Sequence, residues 1–152
     1  MVDREGFYVP AGEGEHYTFG GGGVTTLKVR GDDTAGHFEI TENKLPAGNP
    51  GTPPHIHNNV DHAFYVLEGV VDFEVGSRVV HAGPGACLFA PKGLAHRFSN
   101  PGSEPGRWLQ IDSVGGREGM FKELAERLPN NAPPDPAVML EVLAKYDTRP
   151  AK

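Results

Sequence analysis

Glycine and proline constrain this chain more than any other feature: 21 glycines and 14 prolines stand among 152 residues, nearly one in four. Proline lacks the amide hydrogen a helix interior needs, and glycine loses the most backbone freedom on ordering. Long uninterrupted helices are therefore disfavoured, and turns are favoured. The glycines follow no collagen period, and apolar residues make up 38% of the chain, too many for a disordered polymer. The length suits one domain with a core and is too short for two. The expectation is an all-β chain of short strands joined by many turns.

The charge balance excludes several partners. Lys and Arg number 14 against 20 Asp and Glu, a net charge of -6 with no basic run. A nucleic-acid surface should be electropositive, so no nucleic-acid partner is expected. No stretch approaches the ~18 apolar residues of a membrane helix, so no membrane partner is expected either. The opening residues Met1 to Gly6 lack the basic-then-apolar layout of a signal peptide, and a cytoplasmic protein is the expectation. The single cysteine, Cys87, lies in an apolar run and reads as a small buried filler.

Residues 1–23 read as a glycine-rich N-terminal arm with a short strand near Tyr8 or Tyr17. The tetrad Gly20 to Gly23 would suit a phosphate loop only if a helix followed. The β-branched alternation Val24 to Val29 follows instead, so the tetrad reads as a flexible connector. Further strands are expected over 37–41, 63–67, 70–75, 78–81, 86–90, 95–99 and 107–114, with a hairpin at Glu68-Gly69. Such spacing indicates a sandwich or barrel over 24–114. After Gly119 the period changes. Met120, Phe121, Leu124, Ala125 and Leu128 fall on one helical face, and Pro129 ends that helix. Asp135-Pro136 reads as an N-cap and first-turn proline opening a second helix to about Tyr146. This tail, 115–152, is expected to pack on the barrel or at a dimer contact.

Three of the seven histidines lie within eight residues: His55, His57 and His62. Residues i and i+2 of a strand share a face, so His55 and His57 project together. If 58–61 is a turn, the returning strand brings His62 beside them. Imidazoles so arranged make a preorganised metal face, and His96, after the Pro91-Lys92-Gly93 turn, could add a fourth from another strand. His16, His37 and His81 read as ordinary surface or strand histidines.

Two motifs carry a resemblance. Pro54-His55-Ile56-His57, four residues, His62, six residues and Gly69 look like the first cupin motif. Gly85, Pro91, Gly93, His96 and Asn100 fill the second without a gap, 15 residues (Val70 to Pro84) further on, as in small single-domain, quercetinase-like cupins. The resemblance implies a cupin double-stranded β-helix, or jelly-roll barrel, with two short C-terminal helices. It also implies one divalent metal held by His55, His57, His62 and His96. His62 stands where cupins normally carry glutamate. Asp61 is adjacent, but alternation puts it on the opposite face.

Four neutral ligands leave a divalent ion near +2 instead of +1, which raises its Lewis acidity and removes a carboxylate base. That pattern resembles the resistomycin-type cupin cyclases of aromatic polyketide pathways. It implies a metal-dependent cyclase acting on a small aromatic or poly-ketone substrate, with antibiotic biosynthesis as the setting. Zinc is favoured, with nickel, iron, manganese, cobalt or copper as alternatives. Phe64, Phe73, Phe89, Phe98 and Trp108 are candidates for the substrate wall by strand position. Gln110 and Asp112 share a face with Trp108, so Asp112 is a candidate base or orienting partner. An oxygen-dependent, ring-cleaving dioxygenase is the competing enzyme reading, and a non-catalytic small-molecule binder is the third. A homodimer is expected from barrel edges or an added arm strand.

Overall fold

The computed structural model describes residues 5–151. Residues 1–4 of the expected arm and the final Lys152 lie outside the described residues. Among the described residues eleven strands build two facing sheets, with two α-helices after the tenth strand. The strands are β1 (Glu15–Phe19), β2 (Gly23–Val29), β3 (Phe38–Leu45), β4 (His55–His57), β5 (His62–Glu68), β6 (Val71–Val75), β7 (Arg78–Ala82), β8 (Cys87–Ala90), β9 (His96–Ser99), β10 (Gly106–Ser113) and β11 (Thr148–Pro150). The helices are α1 (Glu118–Arg127) and α2 (Pro136–Ala144). One sheet runs β1-β2-β3-β10-β5-β8, and the other β11-β4-β9-β6-β7. This is the cupin fold expected from the motifs.

Period-2 alternation assigns the inward faces. On β10, Gly106, Trp108, Gln110 and Asp112 are buried and the residues between them are less so; β3 buries Glu39, Thr41, Asn43 and Leu45. The apolar inward residues gather in two places. One core lies between the sheets, around Phe64, Val66, Val71, Phe73 and Trp108. The other lies beneath the helices, where Met120, Phe121, Leu124, Met139 and Leu143 pack with Leu27 of β2. Polar and imidazole residues occupy the barrel interior between these two cores.

Three local expectations change. The Glu68-Gly69 turn is a corner and not a hairpin: β5 and β6 lie in different sheets, and β6 pairs with β7 and β9. Gly69 has φ +67°, and a Cβ there would stand 2.2 Å from the Pro105 carbonyl oxygen, so only glycine turns this corner without strain. The expected arm contributes β1, centred on Tyr17, to the six-stranded sheet, and the glycine tetrad is the turn of the β1–β2 hairpin. Tyr8 lies outside any strand and is exposed. Cys87 is exposed on the edge strand β8 instead of buried, because the alternation that buries Ala90 turns Cys87 and Phe89 outward.

The Asp135 side chain caps α2 by accepting from the Ala137 and Val138 amides, with Pro136 opening the helix as expected. The strand β11 was not expected. It pairs with β4 and extends the five-stranded sheet beside the histidines. Among the described residues no helix is long and apolar enough to cross a membrane.

Candidate metal centre

His55 and His57 project from the three-residue strand β4, and His96 faces His55 across the β4–β9 pairing. His62 arrives from the opposite sheet, because β5 pairs with β10 and β8 and not with β4. The expected β4–β5 hairpin is therefore replaced by a crossing between sheets, and the fourth ring meets the others across the barrel. All four rings are at least 95% buried. Ring centroids lie 4.5 Å apart for His55–His96 and His57–His62, and 5.0 Å apart for His62–His96.

His55, His57 and His96 each bring a ring nitrogen into a set lying within 4.8 Å of one another. His62 is beside this group and not a member of it. Its Nδ1 is hydrogen-bonded to Asp112, and its ring contacts that of His57.

The tautomers follow from the partners. His55 Nδ1 meets the Pro53 carbonyl at 2.8 Å, and His96 Nδ1 meets the Leu94 carbonyl at 3.0 Å. A carbonyl only accepts, so both nitrogens carry hydrogen. Thr148 on β11 donates its hydroxyl to the Tyr146 carbonyl, which leaves its oxygen to accept from His57 Nδ1 at 2.8 Å. In each of these rings the Nε2 lone pair is left for another partner, and His57 Nε2 is buried with none. A neutral imidazole held at Nδ1 and open at Nε2 is the state a metal ligand needs. The residues therefore fit a divalent ion of the imidazole-preferring kind.

Burial, followed by repulsion from His96, lowers the His55 pKa to about 3. Burial, followed by repulsion from His62, lowers that of His96 to about 4. His57 is pushed lower still by burial and then by the Arg117 charge. These rings stay neutral at physiological pH, ready to donate lone pairs.

Asp112 is wholly enclosed. It accepts from Arg117 Nη1 at 2.9 Å and from Gln110 Nε2 at 2.9 and 3.1 Å, besides its contact with His62. Burial opposes its charge, but His62 and Arg117 outweigh burial and hold the carboxyl well below its ordinary range. Asp112 is thus an orienting partner of His62. Glu39, paired opposite Asp112 across β3 and β10, accepts from the Gly116 and Arg117 amides at the start of α1.

The histidines open into a small cavity of about 60 Å³. Of the candidate wall residues Phe64 and Phe98 line it, and so does Gln110. Phe73 and Trp108 do not; both are only 1% exposed and belong to the inter-sheet core. Phe89 is 60% exposed on the outer face of β8 and cannot form any part of a substrate wall, since strand alternation points it away from the barrel. The far wall is supplied by Met120, Phe121 and Leu124 of α1 with Met139 and Leu143 of α2. Arg117, Thr52 and Thr148 had no signal in the sequence: each reaches the site from a loop or strand end whose position is set by long-range packing. His16, His37 and His81 are exposed and stand apart from the site.

Residues 42–112 match the family described as Cupin domain. No curated protein sequence matches the chain. Among solved structures, the chain is similar to KdgF from Halomonas sp., at 20% identity over 76% of this chain and 99% of that one, with a TM-score of 0.65. It is similar to a predicted oxalate decarboxylase from Thermotoga maritima, at 20% identity over 71% and 99%, TM-score 0.63. It is also similar to the polyketide cyclase RemF from Streptomyces resistomycificus, at 23% identity over 84% and 96%, TM-score 0.61. At such identities the likeness is one of fold. The family match covers a little under half of the chain, and around it the chain has a mostly β cupin fold of two sheets with two C-terminal helices.

Proposed function

We propose that the chain is a metal-dependent polyketide cyclase. His55, His57, His62 and His96 hold one divalent ion, zinc by preference, against a poly-ketone that closes to an aromatic ring. The observation that carries this reading is three ring nitrogens within 4.8 Å of one another, opening on a cavity with no Asp or Glu among its lining residues. When bound, such an ion supplies Lewis acidity toward carbonyl oxygens and favours the enolate that aldol closure needs.

The chain's own residues bind, orient and exclude water. Phe64, Phe98 and the helix residues give a flexible apolar chain a surface to fold against. Gln110 stands in the cavity wall with its amide on Asp112, and Asp112 in turn fixes the His62 ring. The neighbour RemF shares the fold, and the reading rests on this chain's own histidines and wall.

Metal analysis of the purified protein is the first test, with about one zinc per chain expected. His57→Ala and His96→Ala should each abolish stoichiometric metal. Protein that folds normally yet takes up no divalent ion in a titration overturns the reading. Incubation with a diaryl 1,3,5-triketone should then yield a cyclised aromatic product without oxygen consumption. Uptake of oxygen with a flavonol would favour the ring-cleaving dioxygenase.

A further inference from the structure

Three residues lining the histidine cavity carry a buried polar atom with no hydrogen-bond partner: His57 Nε2, Thr52 Oγ1 and Arg117 Nε. Leaving a buried polar group unsatisfied is costly, and more so when it is charged, so such a cluster points to a missing partner. A metal accounts for His57 Nε2 and leaves the other two unexplained.

The Arg117 side chain is only 9% exposed, and among the described residues its guanidinium meets one oxygen, Asp112 Oδ2 at 2.9 Å. Its Nη2 faces the Met120 thioether at 3.3 Å, a weak acceptor, and its Nε has none. Asp112 is shared with Gln110 and His62, so Arg117 does not have that carboxylate to itself. No Asp or Glu is among the residues lining the cavity. A guanidinium is built to take a carboxylate through two parallel hydrogen bonds, and here most of its donors are unused. Thr52 comes from the loop that leads into β4, on the same cavity, and its hydroxyl is likewise free. Facing these polar groups is the apolar wall from α1 and α2.

We infer that Arg117 and Thr52 are substrate-binding residues that select an apolar ring or poly-ketone compound bearing a carboxylate over its neutral counterpart. The inference rests on the reading that this cavity is the substrate site, and it requires neither the metal nor the reaction. Arg117 grips the carboxylate through its free donors, the Thr52 hydroxyl supplies a further hydrogen bond, and the helix wall covers the apolar body.

Benzoate and benzamide have nearly the same shape and differ in charge. Calorimetric titration of each into protein stripped with EDTA, near neutral pH, reads the selectivity without metal. Benzoate should bind about tenfold tighter than benzamide. Thr52→Val should weaken benzoate about threefold to tenfold and benzamide less, because a hydrogen bond to a charged acceptor is the stronger, and Arg117→Lys should reduce the preference. Thr52→Val keeps side-chain volume and no internal bond depends on the hydroxyl, so the test survives if the Arg117 variant fails to fold. Equal binding of the two compounds, or no binding of either, overturns the inference. A benzoate preference that appears only after zinc is restored, and is unaltered in Thr52→Val, also overturns it by assigning the carboxylate to the metal. The cyclase reading falls on separate results: metal content and ring closure.

Discussion

At the residue scale, the centre depends on what stands behind each imidazole. His57 owes its tautomer to one hydroxyl, Thr148, which is itself turned to accept because it donates to Tyr146. Thr148→Val keeps the volume and removes the acceptor, freeing the His57 ring to rotate or swap tautomer. Loss of a partner of this kind costs about 10–100-fold in metal affinity, so zinc affinity should fall by that order while the fold persists. Competition with a chromophoric chelator reads the change, and unaltered affinity would show that the tautomer is set elsewhere. The pair His55 and His57 was legible in the sequence, because i and i+2 on a strand must share a face. Thr148 was not, because it lies 91 residues away and reaches His57 only through the pairing of β11 with β4. His62 was legible as a histidine near the others. Its arrival from the opposite sheet, and its hold on Asp112 in place of membership of the close set, needed the fold.

At the element scale, the two helices close the cavity and bring β11 back to the sheet. They pack on each other and on the barrel through Leu124, Met139 and Leu143, and their outer faces are linked by Arg127 with Glu141 at 2.9 and 3.0 Å. Both helices were visible in the sequence from apolar spacing, a proline stop and the Asp135-Pro136 start. Those signals are local, and helix caps act within one turn. Asp135→Ala removes the acceptor for two amides of the first turn of α2 and should cost about 1 kcal/mol of stability. The urea midpoint should fall with the slope unchanged. An unchanged midpoint would mean that packing alone holds α2. The hairpin expected at Glu68-Gly69 shows the opposite case. A glycine turn signals that the chain bends, and says nothing about whether the next strand pairs with the last one or crosses to the other sheet.

At the scale of the whole molecule, buried neutral histidines couple stability to pH. Unfolded histidines titrate near 6.5. In the folded protein burial lowers His55 to about 3 and His96 to about 4, with His57 lower still. From about 6.5 down to 4 the unfolded chain therefore binds protons that the folded chain refuses. The contribution of these histidines is full above 6.5 and is lost as pH falls through that window. Glu39 acts in the other direction. Burial first, and then Asp112, raise its carboxyl from 4.5 to about 7, so its contribution is full below about 4.5 and is lost as pH rises through 7. Three histidines outweigh one glutamate. Metal-free protein should lose about 1.4 kcal/mol per pH unit for each net proton on going from about pH 6.5 to 5. Urea midpoints across that range test this, and a flat profile would mean that the rings are open to water.

The sequence by itself determined the elements and the chemistry on offer: short strands from glycine and proline, an HxH pair on one face, two capped helices and a cupin pattern in two motifs. These are properties of adjacent residues, governed by local sterics and strand or helix period. Only the tertiary structure decided which sheet each strand joins, that His62 comes from across the barrel, that Phe89 and Cys87 face outward, and that Arg117, Thr52 and Thr148 reach the histidines. Those outcomes depend on contacts between residues far apart in the chain, where burial and pairing are settled for the whole barrel at once.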